Sequence, residues 1–554
     1  MTTAVSPSFS RITRSIWGQA LLVLLLFACC QVATSAVFFD GFLHTFSGIN
    51  RMLFGENGAP GILTHVPYHG CSILLSAFLH PLFTLGLILL YVPFLFKKRF
   101  AKGLVISHTF ADRLLVTVAA LLLAWELGTY EYNYFLDHAF YFDRALLFIL
   151  ALLLFRFPVL VPVFLAFAFV YRSQFNYPVT GFPLFDKRLL YDLLVLFLSF
   201  WYIRILVPAF RIPFLFFALC LVASNYFASG FAKILISPHG TEWLLENKTS
   251  DLFANVRLRG WLDGTDPGTI ASMRTFIEKS GFVFQCVVLL LELGAIFLLR
   301  SRRLAILVLV LLALMHAGIF IFGSMLFWKW MAIDLTLAAV LFFRKPAAEN
   351  LFPGKKYFFL SIGIILLSFA WLRPYTIGWH DTPFNQYFTY EVEDDSGRVY
   401  ALAKNELNPY HQWIQYDQFL FLVNRPCLRV SGFGYTNNYA LASAIRNSGP
   451  DGITALENAK GEKQYSEEKK KEYNEFMQRF FVNRNKRIGR SFFPSALHAP
   501  HHLYNWSAEN AYAGQAPVRI FRVIFNQTYT VGGETKTIRK ELVDEILIPP
   551  WPVD

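Results

Sequence analysis

Residues 212–235, IPFLFFALCLVASNYFASGFAKIL, decide the fold class. One charge, Lys233, falls in those 24 residues, near their end. As a helix they span ~36 Å, more than the ~30 Å hydrocarbon core of a bilayer. The whole chain agrees. Of 554 residues, 55% are hydrophobic and only 16% charged, with 59 Phe, 25 Tyr and 12 Trp. A soluble globule carries about 25% charged residues. So few charges cannot cover a water-facing surface. A soluble enzyme, a disordered chain and a disulfide scaffold are excluded, and a polytopic membrane protein is what remains.

Further apolar runs cover 16–38, 72–96, 113–129, 145–171, 188–207, 281–299, 304–323, 328–343 and 357–373. The first passes a cleavage-like Ala33-Thr34-Ser35-Ala36 into Val37-Phe38-Phe39, so it reads as an uncleaved anchor rather than a signal peptide. The net charge is +12, but the basic residues stand at the ends of apolar runs, as in Lys97-Lys98-Arg99 and Arg300-Ser301-Arg302-Arg303. That is an orientation signal, and no nucleic-acid partner is expected. Arg11, Arg14, residues 97–102, Arg300–Arg303, Arg344, Lys345, Lys355 and Lys356 are placed inside; Glu126, Glu131, Asp137 and Asp143 are placed outside. The N-terminus is then cytosolic and everything after 373 is outside, which requires an odd number of crossings. Ten runs are present, and Arg156, Pro158 and Pro162 interrupt the one at 145–171. A bent, re-entrant or surface-lying segment there gives nine crossings and a split gives eleven; nine is the expectation.

The expected architecture is therefore an α-helical polytopic membrane bundle of about nine transmembrane helices, residues 1–373, followed by an extracytosolic, mixed, β-rich domain, residues 374–554. In that tail, Phe388–Val392 and Arg398–Ala401 flank Asp394-Asp395-Ser396-Gly397, and Val518–Thr530 and Thr535–Ile548 flank Gly532-Gly533: two hairpin signals. Residues 466–487 read as an amphipathic, basic helix with a solvated face. None of the six cysteines has zinc or redox spacing, and no metal is expected, His498-Ala-Pro-His501-His502 being a weak candidate in a loop. Asn247-Lys-Thr249, Asn505-Trp-Ser507 and Asn526-Gln-Thr528 fit the glycosylation pattern.

Ionisable groups inside spans are costly, and each is a functional candidate by default. Three are singled out. Tyr226, Gly230 and Lys233 fall at i, i+4 and i+7, one helix face, with the glycine leaving room for a ligand or a close helix. An amine in an apolar site can serve as a base; alternatively Lys233 reaches for the headgroups. His138 shares a face with Tyr134 and Tyr141 if helical; a surface histidine is the alternative. His316 stands 12 residues beyond Leu304, ~18 Å into the core and too deep for an imidazole to reach water. A bond to a neighbouring helix would also account for it. All three lie in or near the outer half, so one shared cavity is expected.

At these residues the chain resembles the HTTM family, which includes the vitamin K-dependent gamma-carboxylases. Tyr226-Phe227, Gly230, Lys233 and Trp243 resemble its YF-x-x-G-x-x-K…W signature. Asp137-His138-Ala-Phe-Tyr141 is similar to its NH-x-Y segment, and Met315-His316 with Phe327-Trp328 to its third helix motif. The segments occur in the family's order over roughly residues 110–345. The resemblance implies that Lys233 deprotonates a reduced quinone of the vitamin K hydroquinone type, with His138 associated with that step. Oxygen then converts the quinone into a strong base, a glutamate γ-carbon loses a proton, and carbon dioxide adds. It implies lyase chemistry on a peptide or other extracytosolic substrate, with His316 positioning the cofactor and Tyr226, Gly230, Tyr134 and Tyr141 beside it. The carboxylases join their first outer loop to the outer domain by a disulfide, which implies a Cys71–Cys427 pair. The chain departs from the pattern at Ala232, where the carboxylases carry a second lysine, at Asp137 in place of asparagine, and at Lys329 near the family's proline. The expectation is an integral membrane protein, of a bacterial inner membrane or an endomembrane, in contact with lipid and using a hydroquinone. The rival is a non-enzymatic membrane binding, export or immunity/maturation partner whose buried polar groups serve packing.

Overall fold

The computed structural model describes residues 14–33, 109–129, 141–172, 188–207, 209–343, 351–352, 355–372, 374, 377–402, 404–407, 419–489, 494–504 and 511–550. Among them, the first half is helical: α1 Ile16–Ala33, α2 Phe110–Thr129, α3 Tyr141–Leu153, α4 Val161–Arg172, α5 Arg188–Leu206 and α6 Phe214–Leu235. Two short helices follow, α7 Glu242–Leu245 and α8 Thr249–Arg257. Then come α9 Pro267–Gly294, α10 Arg302–Gly323, α11 Trp328–Phe343, α12 Lys355–Leu366 and α13 Ser368–Trp371. The tail holds β1 His380–Asp381, β2 Phe384–Asp394, β3 Val399–Leu402, β4 Pro426–Cys427, β5 Tyr435–Thr436, α14 Tyr439–Lys460, β6 Glu462–Lys463, α15 Glu467–Asn485, β7 Val518–Val531 and β8 Glu534–Leu547.

Among the described residues, four helices are long and apolar enough to cross a membrane: α5, α6, α9 with its continuation to Arg300, and α10. The expected polytopic helical bundle is thus present in part, and the count of about nine extends over runs that lie outside the described residues. Three other described helices fall short for visible reasons. Helix α2 carries Asp112, Arg113 and Glu126. Helix α11 has 16 residues and holds Lys329 and Asp334. Helix α12 has 12 residues and gives way to α13. The run at 145–171 is broken as expected, with a 3-10 turn at Pro158–Leu160 separating α3 from α4. The run at 72–96 lies outside the described residues.

Helix α6 is the hub. Most of its residues are buried, against α5, α9 and α12. Helices α9 and α10 instead turn apolar side chains outward, among them Phe282, Val283, Leu290, Leu307 and Leu314 at 54–72% exposed. Such faces suit lipid rather than water. Their ends are well capped. Asp266 accepts from Thr269 N at 2.8 Å before α9, with Pro267 in the first turn. Ser301 accepts from Leu304 N before α10. The Arg302 guanidinium donates to the Leu341 and Phe342 carbonyls at the end of α11, where a cation is favoured.

The tail is mixed α/β. A four-stranded antiparallel sheet runs β3-β2-β7-β8. Both expected hairpins are present, β2–β3 and β7–β8. Helix α15 does not present only a solvated face: Tyr473, Phe476, Met477, Phe480 and Phe481 are buried with Phe388, Tyr390, Phe521 and Phe525 of the sheet in one core. Asn247 and Asn526 are 8% and 7% exposed and hydrogen-bonded, so neither offers itself for glycosylation; Asn505 lies outside the described residues. The pairing of Cys71 with Cys427 is not found: Cys427 is a free thiol buried in the α15–sheet core, and Cys71 lies outside the described residues.

The tail is seated on the bundle at the ends of α2, α6 and α10. Segment 497–504 straps across α2 and the α10–α11 turn. Trp125 Nε1 donates to the Leu497 carbonyl at 2.9 Å and Ala499 N to Thr129 Oγ1 at 2.9 Å. Leu326 N donates to the His502 carbonyl at 2.7 Å and Tyr504 N to the Ser324 carbonyl at 3.1 Å. Gly378 lies against the end of α6, where a Cβ would come within 3.1 Å of Ala232 backbone.

Candidate functional site

A cavity of ≈ 400 Å³ opens between α6, α9 and α10 beneath the start of the tail. Most of its wall is apolar or aromatic. The lining residues that reach the surface include Val287, Leu311 and Leu314, at 45, 36 and 61% exposed, on the two helices with apolar outer faces. The cavity thus opens sideways, between the apolar outer faces of α9 and α10.

Two polar groups interrupt this wall, both presented by one face of α6. The first is Lys233, which is 7% exposed. Its ammonium donates to both Glu292 carboxylate oxygens of α9, at 2.8 and 2.7 Å, and to the Ile377 carbonyl of the tail at 3.1 Å. The Trp243 ring lies 5.5 Å from the same nitrogen, within cation–π range. So paired, the ammonium joins α6, α9 and the tail at one point. Gly230 permits the pairing. A Cβ there would stand 2.9 Å from Glu292 Cβ and 3.1 Å from Leu293 N, so only glycine lets α9 come this close.

The second lies about two turns, ~10 Å, back along α6. The Tyr226 hydroxyl donates to Asp334 Oδ2 of α11 at 2.6 Å and sits 2.8 Å from His316 Nε2 of α10. Trp330 packs on the tyrosine ring at 5.3 Å and Phe327 on the imidazole at 4.9 Å. Lys233, His316, Tyr226 and Gly230 are therefore gathered at one place, and all but Gly230 line the cavity. Tyr141 is 57% exposed at the start of α3 and does not line it. His138 and Tyr134 lie outside the described residues.

Sequence reasoning passed over Glu292 and Asp334. Each is a lone carboxyl inside an apolar run, a signal as strong as the one that marked Lys233. It also passed over a second buried pair, Lys329 to Glu126 at 2.9 Å, both at most 2% exposed, which ties α11 to α2. Lys329 is the residue that stands near the family's proline.

The tail closes the cavity. Ile377, Trp379 and Asp381 line it, and Asp381 is fixed by Asn247, which donates to Oδ2 at 3.0 Å and accepts from Asp381 N at 2.6 Å. Burial pushes the Asp381 carboxyl up to about 7, the Asn247 bond opposing it and the Asp251 charge adding to it. Burial likewise raises Asp251 to about 6. The folded chain thus keeps protons that the unfolded chain releases from about pH 4 upward. Stability from these groups is greatest below that range and falls as pH rises through 7. The melting temperature of the full chain should fall between pH 5 and 7.5, and Asp381→Asn, which preserves the Asn247 bonds, should flatten that slope. An unchanged slope would remove Asp381 as its source.

Among the described residues, no group of three His, Cys, Asp or Glu side chains is placed to hold a metal ion. Compared with protein-family models, curated proteins and solved structures, the chain finds no match in any of the three.

Proposed function

We propose that the protein is a membrane enzyme, HTTM-like, that takes a ring-bearing amphiphile of the hydroquinone type from the lipid and handles a proton at its hydroxyl, on the extracytosolic side. One observation carries the reading: a cavity with an apolar mouth holds a buried cation and a buried imidazole on the same wall. The residues suit the group. Phe284, Phe322 and Phe327 offer ring surfaces, and His316 Nδ1 is buried with no hydrogen-bond partner in the protein, as an acceptor awaiting a hydroxyl would be. When bound, the group would supply reducing power and an ionisable ring oxygen. Lys233 is read as the cation that steadies a developing oxyanion rather than as a lone base, and exclusion of water strengthens that attraction. The modified substrate is a peptide or other molecule reaching the cavity from the tail side.

The direct test is lipid extraction and mass spectrometry of the full-length protein, with binding of 2-methyl-1,4-naphthohydroquinone followed by quenching of tryptophan fluorescence. A co-purifying quinone, or saturable quenching, is expected. Neither, in folded protein, would end the proposal. A second reading rests on the same lysine: bonded to Glu292 and to Ile377, it could serve only as a clasp between α6, α9 and the tail, in a non-enzymatic membrane partner.

A further inference from the structure

The Tyr226 hydroxyl touches two groups but has one proton. With Asp334 as a carboxylate that proton goes to Oδ2, and the 2.8 Å contact then has His316 carrying its N–H at Nε2 and donating to the tyrosine oxygen. Nδ1 is then a bare acceptor, buried, without a protein partner, on a residue that lines the cavity. At the other end Asp334 is fully buried, Tyr226 holds its Oδ2, and Oδ1 has no partner. Glu126 and Glu292 differ: each faces a lysine ammonium at 2.9 Å or less. A network built for stability satisfies its members. This one is bare at both ends and rigid between them.

We propose that Asp334, Tyr226 and His316 form a proton relay that accepts a proton from a ligand hydroxyl at His316 Nδ1 and stores it on Asp334. The inference rests on the reading that a hydroxyl-bearing amphiphile occupies the cavity. The ligand O–H bond breaks as an N–H bond forms at Nδ1. The Nε2 proton passes to the tyrosine oxygen, and the tyrosine's own proton passes to Asp334 Oδ2. Imidazole and phenol both end neutral, the imidazole in its other tautomer. The negative charge leaves Asp334 and appears on the ligand oxygen, in the cavity that Lys233 also lines. The net charge is unchanged: a buried carboxylate held by Tyr226 gives way to an oxyanion in the cavity that Lys233 lines.

Two variants test it in the full chain, in lipid nanodiscs, with 2-methyl-1,4-naphthohydroquinone kept reduced under argon. Infrared difference spectra, bound minus free, should show wild type gaining a protonated-carboxyl band that shifts in deuterated water. Asp334→Asn should lose the band. Tyr226→Phe should lose it too, although the carboxyl is still there, because the wire is cut; this variant keeps the ring packed on Trp330 and decides the matter alone if Asp334→Asn does not fold. Tryptophan quenching, run in parallel, expresses the band per bound probe. If the probe binds wild type without the band, or the band survives in Tyr226→Phe, the relay is overturned and the binding reading stands. If the probe does not bind wild type, the binding reading falls and the relay with it.

Discussion

Glu292→Leu should destabilise the folded protein by about 3–5 kcal/mol, whereas Lys233→Met combined with Glu292→Leu should return to within about 1 kcal/mol of wild type. Both side chains of the pair are buried, at 9 and 8% exposed. Removing the carboxylate strands an ammonium where water cannot reach it. Removing both partners leaves apolar side chains of similar bulk against apolar neighbours. Denaturant or thermal unfolding of the purified variants measures both numbers. The double variant also separates the two functional readings. If the lysine is an electrostatic anchor for a ligand oxyanion, the stable double variant binds the naphthohydroquinone probe about tenfold more weakly or worse, as loss of a charge-assisted hydrogen bond implies. If it binds as wild type does, the pair is a clasp and the proposed role of Lys233 is lost.

How much of this could be read from the chain depends on whether a feature is decided locally. The β2–β3 hairpin is local. Asp394 Oδ1 accepts from Ser396 N at 2.8 Å and Arg398 N at 2.9 Å, and Gly397 takes the left-handed φ of +80° that the turn needs. All of that chemistry sits in five residues, so the motif could be read directly. The break before Pro158 is local too. Lys233 was legible through the cost of burying it, which needs no knowledge of its neighbours.

Its partner was not legible. Glu292 is 59 residues further along, and its choice depends on how α6 and α9 cross. Asn247 misled for the same reason: its sequon looks exposed until the tail returns and Asp381 engages it from 134 residues away. The carboxyl of Asp334 shows the converse error. Its run has the pattern of an ordinary span, and its link to the histidine one helix earlier exists only through Tyr226. The tail meets the bundle at the ends of α2, α6 and α10, contacts between residues far apart in the chain that no local pattern announces.

The crossing of α6 and α9 can itself be tested, since one glycine controls it. Gly230→Ala should destabilise by about 1–3 kcal/mol and Gly230→Val by more, because the added carbon meets Glu292 Cβ at 2.9 Å and a backbone nitrogen at 3.1 Å, and backbone cannot swing aside. Helix propensity alone favours alanine over glycine by about 1 kcal/mol, so the expected sign is opposite to the local rule. Gly318 of α10 supplies the contrast. It lines the same cavity, but a Cβ there meets nothing within 4 Å, so Gly318→Ala should be neutral or stabilising. Since α9 carries Glu292, forcing it away also pulls the carboxylate from Lys233. Gly230→Val should therefore leave a protein that resists adding Glu292→Leu: with the pair already parted, the second substitution costs well under the ~3–5 kcal/mol it costs in wild type. Full additivity of the two would mean that Gly230 does not set the distance between amine and carboxylate, and that the site is assembled by some other contact.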